Sequence, residues 1–398
     1  MTRRYDIDAL RVIAFVLLIL YHCCMLYVVD WGFHIKSAYQ FEWLQTPMLL
    51  VNQWRMPLLF LISGLAINFV WQRYSARELA WRRIKRLGLP FLFGTAIVVT
   101  PQPYFEAMSK GLVEPGYFAF LGDYLTWQRF PDGAWSDTRY ATWTWNHLWY
   151  LPYLLFYTLV LLPIAVLLDG PASVIKRGFQ RLRGPWLILI PILPLMPIGL
   201  FIYPHFPNTT HAFYNDWYAH AHYFTFFLYG YLLGRAEGTW RELARLRRFS
   251  LVLAGCMFVV LVNRDALLAV VDSTLEDYAT AFIVYLNRWA WLLAALGWGH
   301  QLLNKPFKWL PYATEAVFSW YILHQSITIT AGAQLAKLSL GPFVEPLLVL
   351  AATVGGCLAL HHFVIRKVPW LQPLFGIVIR QDGPQRVRQK ALTEPSLK

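Results

Sequence analysis

The sequence is short of charge, short of cysteine and without a metal-ligand spacing, an internal repeat or a nucleophile elbow. Only 14% of its 398 residues are Asp, Glu, Lys or Arg, against 57% hydrophobic. A water-facing domain of this length carries about a quarter of its residues as charges, so a soluble globular enzyme is excluded. The four cysteines are an adjacent pair, Cys23 and Cys24, and two isolated residues, Cys256 and Cys357. That pattern excludes a disulfide framework and offers no Cys/His metal centre. Self-similarity at a period of 20–50 residues is absent, which argues against a solenoid. No Gly-x-Ser-x-Gly stretch occurs, so an ordinary serine-hydrolase route has no support. The first apolar run contains ionisable residues and lacks an Ala-x-Ala site, so it reads as a retained segment and not a cleaved signal peptide.

What is present is apolar runs long enough to cross about 30 Å of hydrocarbon as helices. Ten are placed near 9–29, 48–72, 87–104, 148–168, 185–204, 219–235, 249–270, 280–303, 309–333 and 346–366. Their length and the lack of strict alternation favour helices over a barrel. The expected fold is an all-α, polytopic transmembrane bundle. Of the 35 basic residues, 26 fall in segments that lie inside if both termini are cytoplasmic; Lys36, Lys110, Arg129, Arg139 and Lys337 lie outside. The positive-inside rule fits that orientation and rejects the reverse. The net charge of +13 is then topology plus attraction to anionic lipid, and nucleic acid is not the expected partner. Residues 1–380 form one transmembrane domain, and 381–398 are a polar tail read as disordered and cytoplasmic. Segment 105–147, aromatic and holding Asp123, Asp132 and Asp137, reads as an outer loop or short re-entrant helix.

Arg11, Arg55, Arg264 and Arg288 lie in or at the edges of spans, where an ionisable group is costly and marks a functional position by default. The opening run DALRVIAFVLLILYHCC places Arg11 and His22 eleven residues apart. That is close to three turns and about 16 Å, so both share one face at different depths. Snorkelling of Arg11 to headgroups and a hydrogen-bonded core role for His22 are the plainer readings of each residue alone; their common face favours a shared pocket.

Arg, ten residues and then His on the first span resembles the signature of the membrane-bound acyltransferase 3 family. WRMPLLFLISG (54–64), WRRIKRLGLPFLFG (81–94), NHLWYL (146–151), EAVFSWYILHQ (315–325) and QPLFG (372–376) resemble further family segments, in order along almost the whole chain. Within the family, three of them look most like the branch that adds succinyl groups to periplasmic glucans. The same segments occur in O-acetyltransferases of lipopolysaccharide and other envelope polysaccharides.

The resemblance implies a multi-pass inner-membrane O-acyltransferase. It would move an acyl group, succinyl before acetyl, from cytoplasmic acyl-CoA to a hydroxyl of a periplasmic glucan or other envelope glycan. Acyl-CoA would be a substrate; no tightly bound cofactor or metal is expected. His22 is the base, since a neutral imidazole can take the acceptor's proton near working pH; an acyl-histidine intermediate remains open. His147 and His324 are further catalytic candidates beside Arg11. Arg82, Arg83 and Arg86, with Arg11 and Arg55, would bind the donor, because guanidinium forks suit phosphates. Trp149, Tyr150, Trp217 and Tyr218 suit sugar rings but read first as an interfacial belt. Arg288 could face an acceptor carboxylate or a protein acid, and Glu315 a buried Arg. A transporter or flippase of an acidic solute would also use intramembrane Arg and His, though internal symmetry is missing. A structural subunit would not need Arg11 and His22 on one stripe.

Overall fold

Most of the apolar runs lie within helices, but several helices begin well before the run they contain. The computed structural model describes residues 3–135, 143–207, 209–269, 272 and 275–377, and among these there is no strand. The tail 381–398, Asp137 and Arg139 lie outside the described residues. The long elements are α1 Tyr5–Cys24, α2 Gln45–Trp71 and α3 Ala76–Ser109, then α5 Asn146–Asp169 after the short α4 Tyr117–Leu125. After α6 Ser173–Arg181 come α7 Trp217–Leu233, α8 Glu237–Val262, α9 Glu276–Leu303, α10 Leu310–Leu335 and α11 Val344–Ile365. Six of these helices, α1, α2 (counted from Glu42), α3, α5, α9 and α11, are long and apolar enough to cross a membrane. The chain is an all-helical, multi-pass membrane protein.

Two expectations about the elements change. The stretch 81–86 is not a basic loop before a span: α3 begins at Ala76, where the Ser75 side chain accepts the Glu78 N–H as an N-cap, and runs through it. Pro90 has no N–H to offer the Arg86 carbonyl, and the helix widens into a π turn at Ile84–Gly88. The span expected at 185–204 is instead a broken series of short turns, beginning Pro185–Leu189, with prolines at 185, 191, 194, 197 and 204. Each proline removes a helical donor.

Close backbone approach sets the packing. A Cβ on Gly64 of α2 would lie 1.8 Å from the Phe227 carbonyl oxygen, and one on Gly230 of α7 would lie 1.9 Å from that of Leu61. Only glycine permits that crossing, the usual device for helix association in lipid. α1 packs among α2, α9, α10 and α11. Its first turn is pinned by Asp6, fully buried, which accepts from Arg4 at 2.6 Å and from His300 of α9 at 2.9 Å. Residues 104–135 carry α4 and an aromatic core of their own, Tyr104, Phe120, Tyr124, Phe130 and Trp135.

Candidate active site

The face of α1 carrying Arg11 also carries Phe15, Leu18 and His22, at helical spacings of four, seven and eleven. Phe15 packs edge-on against Tyr321 of α10 at 5.3 Å and Tyr150 of α5 at 6.5 Å. Two turns deeper, His22 stacks on His324 of α10, centroids 5.0 Å apart, with Nδ1 2.7 Å from His324 Nε2.

The partners of His324 fix both tautomers. Its Nδ1 lies 2.7 Å from the Tyr321 carbonyl oxygen and 3.2 Å from that of Trp320. A carbonyl can only accept, so His324 carries its proton on Nδ1 and presents Nε2 as an acceptor. His22 must then donate from Nδ1, which leaves the lone pair on its Nε2. No described residue donates to that atom, and His22 lines a cavity of about 940 Å³. Carbonyl, imidazole and imidazole in series orient a neutral base, as a carboxylate does in a hydrolase triad.

His147 sits against the same pair, its ring 5.0 Å from that of His324. Its Nε2–H reaches the carbonyls of Tyr321 and Ile322 at 3.1 and 3.2 Å, and its Nδ1 accepts from Gln102 at 3.2 Å. Both nitrogens are engaged, so His147 can hold α3, α5 and α10 in register but has no free lone pair. The structure therefore brings His22, His147 and His324 together and separates their capacities.

The same cavity exposes groups that the sequence does not announce. His34 pairs through Nδ1 with the Glu106 carboxylate, which also holds Lys110 at 2.8 Å, and its Nε2 accepts from Gln325 at 3.0 Å. The loop delivering His34 is tied down by Lys36, whose ammonium donates to the carbonyls of Met25, Val28 and Trp31; burial lowers its pKa. Glu106 four residues before Lys110 was the only local signal, and it fell in a segment read as loop. Arg55 and Arg288 both line the cavity, as do Trp149, Tyr150 and Tyr218. Three of the four belt candidates thus face inward, and Trp217 is the exposed one. His211 stacks on Trp149 at 4.2 Å, and burial pushes its pKa down to about 4.

At the other end of the α1 stripe, the arginines of α3 divide. Arg83 and Arg86 lie close enough to Arg11 for mutual repulsion. Arg82 points elsewhere, exposed, paired with Glu78 at 2.9 Å and over the Tyr74 ring. A second cavity, of about 660 Å³, is lined by Arg3, Arg86, Glu315, Phe318 and Arg366. Glu315 pairs with Arg366 at 2.7 Å, not with a buried arginine. Between the cavities stands a partition of rings. Phe318 faces the arginine side and Tyr321, one turn on, the histidine side; Phe318, Phe15 and Tyr150 pack around Tyr321 at 6.3, 5.3 and 6.1 Å.

Comparison with known proteins identifies the family. Among curated proteins, the chain is 24% identical over 386 residues to Glucans biosynthesis protein C of Escherichia coli O1:K1, covering 94% of each chain. It is 23% identical, with the same coverage, to the protein of that name in strain K12. No solved structure matches. The family profile Acyl_transf_3, described as an acyltransferase domain, matches residues 4–362 and so takes in every histidine and arginine of the two cavities except Arg3 and Arg366. The chain belongs to the acyltransferase 3 family and is a membrane acyltransferase.

Proposed function

We propose that the protein transfers an acyl group, succinyl in preference to acetyl, from acyl-CoA entering the arginine-lined cavity to a glycan hydroxyl in the histidine-lined cavity. The observation that carries this reading is the fixed tautomer chain from the Tyr321 carbonyl through His324 to His22. It leaves one unprotonated imidazole nitrogen in a cavity roomy enough for a sugar.

In this reading Arg11, Arg83 and Arg86, with Arg3 and Arg366, hold the phosphates of the donor. The pantetheine arm passes the ring partition and brings the thioester carbon near His22. Nε2 takes the hydroxyl proton as the oxygen attacks that carbon; the carbon–sulfur bond breaks, and the proton leaves with the thiolate as free CoA. An acyl-histidine formed on the same nitrogen is the covalent variant. His147 and His324 act by position. Arg82 has no part in donor binding. The family resemblance supports succinyl, and the printed name of the relatives supports a glucan acceptor. Charge distribution supports cytoplasmic termini in the inner membrane.

The test is the ester content of periplasmic and surface glycans, by mass spectrometry, in cells with and without the gene. Loss of a succinyl or acetyl ester is expected; an unchanged ester profile rejects the reading. Purified protein in liposomes should also consume acyl-CoA only when a glycan is present on the histidine side.

A further inference from the structure

Most arginines of this chain that make ion pairs do so with a visible carboxylate: Arg3 with Asp8, Arg4 with Asp6, Arg82 with Glu78, Arg245 with Glu242 and Arg366 with Glu315. The two arginines in the histidine cavity do not. Arg288 donates to the Tyr218 hydroxyl at 2.9 Å and to the Gln53 side-chain oxygen at 3.3 Å, both neutral. Arg55 is 6% exposed, and its buried Nε and Nη1 have no hydrogen-bond partner. Its guanidinium carbon lies 3.7 Å from the centre of the Tyr21 ring, and the Tyr21 phenol is a polar neighbour; this neutral group stabilises the cation without balancing its charge. Among the described residues, the one carboxylate lining the cavity, Glu106, is committed to His34 and Lys110. A buried, unpaired guanidinium is costly unless something anionic completes it.

We infer that Arg55, with Arg288 beside it, is an anion pocket that receives the free carboxylate of the transferred acyl group, so that the site selects dicarboxylic half-acyl donors over neutral ones. The inference rests on the transferase reading above. Distance from the base decides which anion is meant. Arg55 is held against Tyr21, whose ring centre is 6.0 Å from that of His22. A group that stabilised the oxyanion would have to reach within about 3 Å of the oxygen formed on the carbon under attack, whereas the contact that holds the Arg55 guanidinium is to the Tyr21 ring and not to His22. The charge it recognises is remote from the reacting carbon but close enough for a short chain to span. Leu18, Met56 and Pro57 line the same cavity and suit the methylenes between. Pro57 also frees the Gln53 carbonyl from its helical partner in the turn carrying Arg55, and the Gln53 side chain extends to Arg288. Arg55 and Arg288 thus act through one stretch of α2.

The test compares succinyl-CoA with butyryl-CoA, the same chain with a methyl in place of the carboxylate, on purified wild type, Arg55→Gln and Arg55→Lys. The ratio of kcat/KM for the two donors should favour succinyl in the wild type. It should fall by about 10–100-fold in Arg55→Gln, the range of a lost charged hydrogen-bonded contact, and recover partly in Arg55→Lys. Monomethyl succinate, which mimics the half-ester, should raise the thermal midpoint of the wild type and not that of Arg55→Gln; methyl butyrate should do neither. An unchanged donor ratio overturns the inference, as does equal loss with both donors. A collapse of discrimination between acidic and neutral acceptors with donor preference intact assigns the anion to the acceptor and also overturns it. If the wild type transfers nothing yet monomethyl succinate binds through Arg55, the pocket stands and the transferase reading fails. If Arg55→Gln does not fold, the lysine variant and the wild-type titration still decide.

Discussion

At the scale of single residues, the arrangement separates His22, which has a free imidazole nitrogen, from His147 and His324, whose nitrogens are engaged. His22→Ala should lower transfer by roughly 10²–10⁴-fold, with acyl-CoA binding, measured on the purified variant, largely kept. His324→Ala should lower kcat by roughly 10²-fold, the cost of misplacing a reacting group by about an ångström, because His22 then loses the acceptor that fixes its tautomer. His211 gives a pH dependence. Its imidazole titrates at about 4 in the folded protein against 6.5 for the free group, so the unfolded chain binds the proton first as pH falls. Stability is therefore full above pH 6.5 and declines between 6.5 and about 4, by up to about 3 kcal/mol. His211→Gln should flatten that part of the melting-temperature profile. Arg11 and His22 were legible in the sequence because helix period alone places them on one face. His34 and Glu106 were not: they are 72 residues apart, and a pairing made by tertiary packing leaves no local period. The isolation of Arg55 was equally invisible, since a missing partner is a property of everything around a residue.

At the scale of elements, the two glycines at the α2–α7 crossing set the limit of tolerance. Gly64→Ala or Gly230→Ala drives a methyl into a facing carbonyl, so the yield of folded protein and its thermal midpoint should both fall. Gly255→Ala in α8, where a Cβ meets nothing within 4 Å, should do neither. The division of α3 gives a second comparison. Arg83→Gln with Arg86→Gln should weaken acyl-CoA binding, whereas Arg82→Gln should leave it unchanged in the same titration. The sequence placed all three arginines together because they are neighbours in the chain. A helix running through them separates them, since residues 82 and 83 point about 100° apart and 83 and 86 share a side. The apolar centres of the helices were legible from composition. Their ends were not, because polar residues at 76–86 and 237–248 continue helices beyond the apolar run, and because the prolines of 185–204 break one within it.

At the scale of the whole molecule, the protein has two unlike ends joined by one face of α1 and one face of α10. Reporter fusions at both ends of the chain should report the same side, that of Arg83 and Arg86, if the charge distribution sets the orientation. α10 alone carries Glu315 and Phe318 toward one cavity and Tyr321 and Gln325 toward the other. The rings of Phe15, Tyr150, Phe318 and Tyr321 have a consequence for the cell that is separate from acyl transfer. Two water-filled cavities meeting end to end would make a conduit and dissipate the proton gradient. The four rings form an apolar partition between the cavities, which opposes the passage of hydrated ions. Tyr321→Ala should therefore make liposomes containing the protein permeable to protons, read with an internal pH dye, and the wild type should hold the gradient. Bioenergetic tightness, as much as catalysis, explains why the meeting point of the two cavities is built from aromatic side chains.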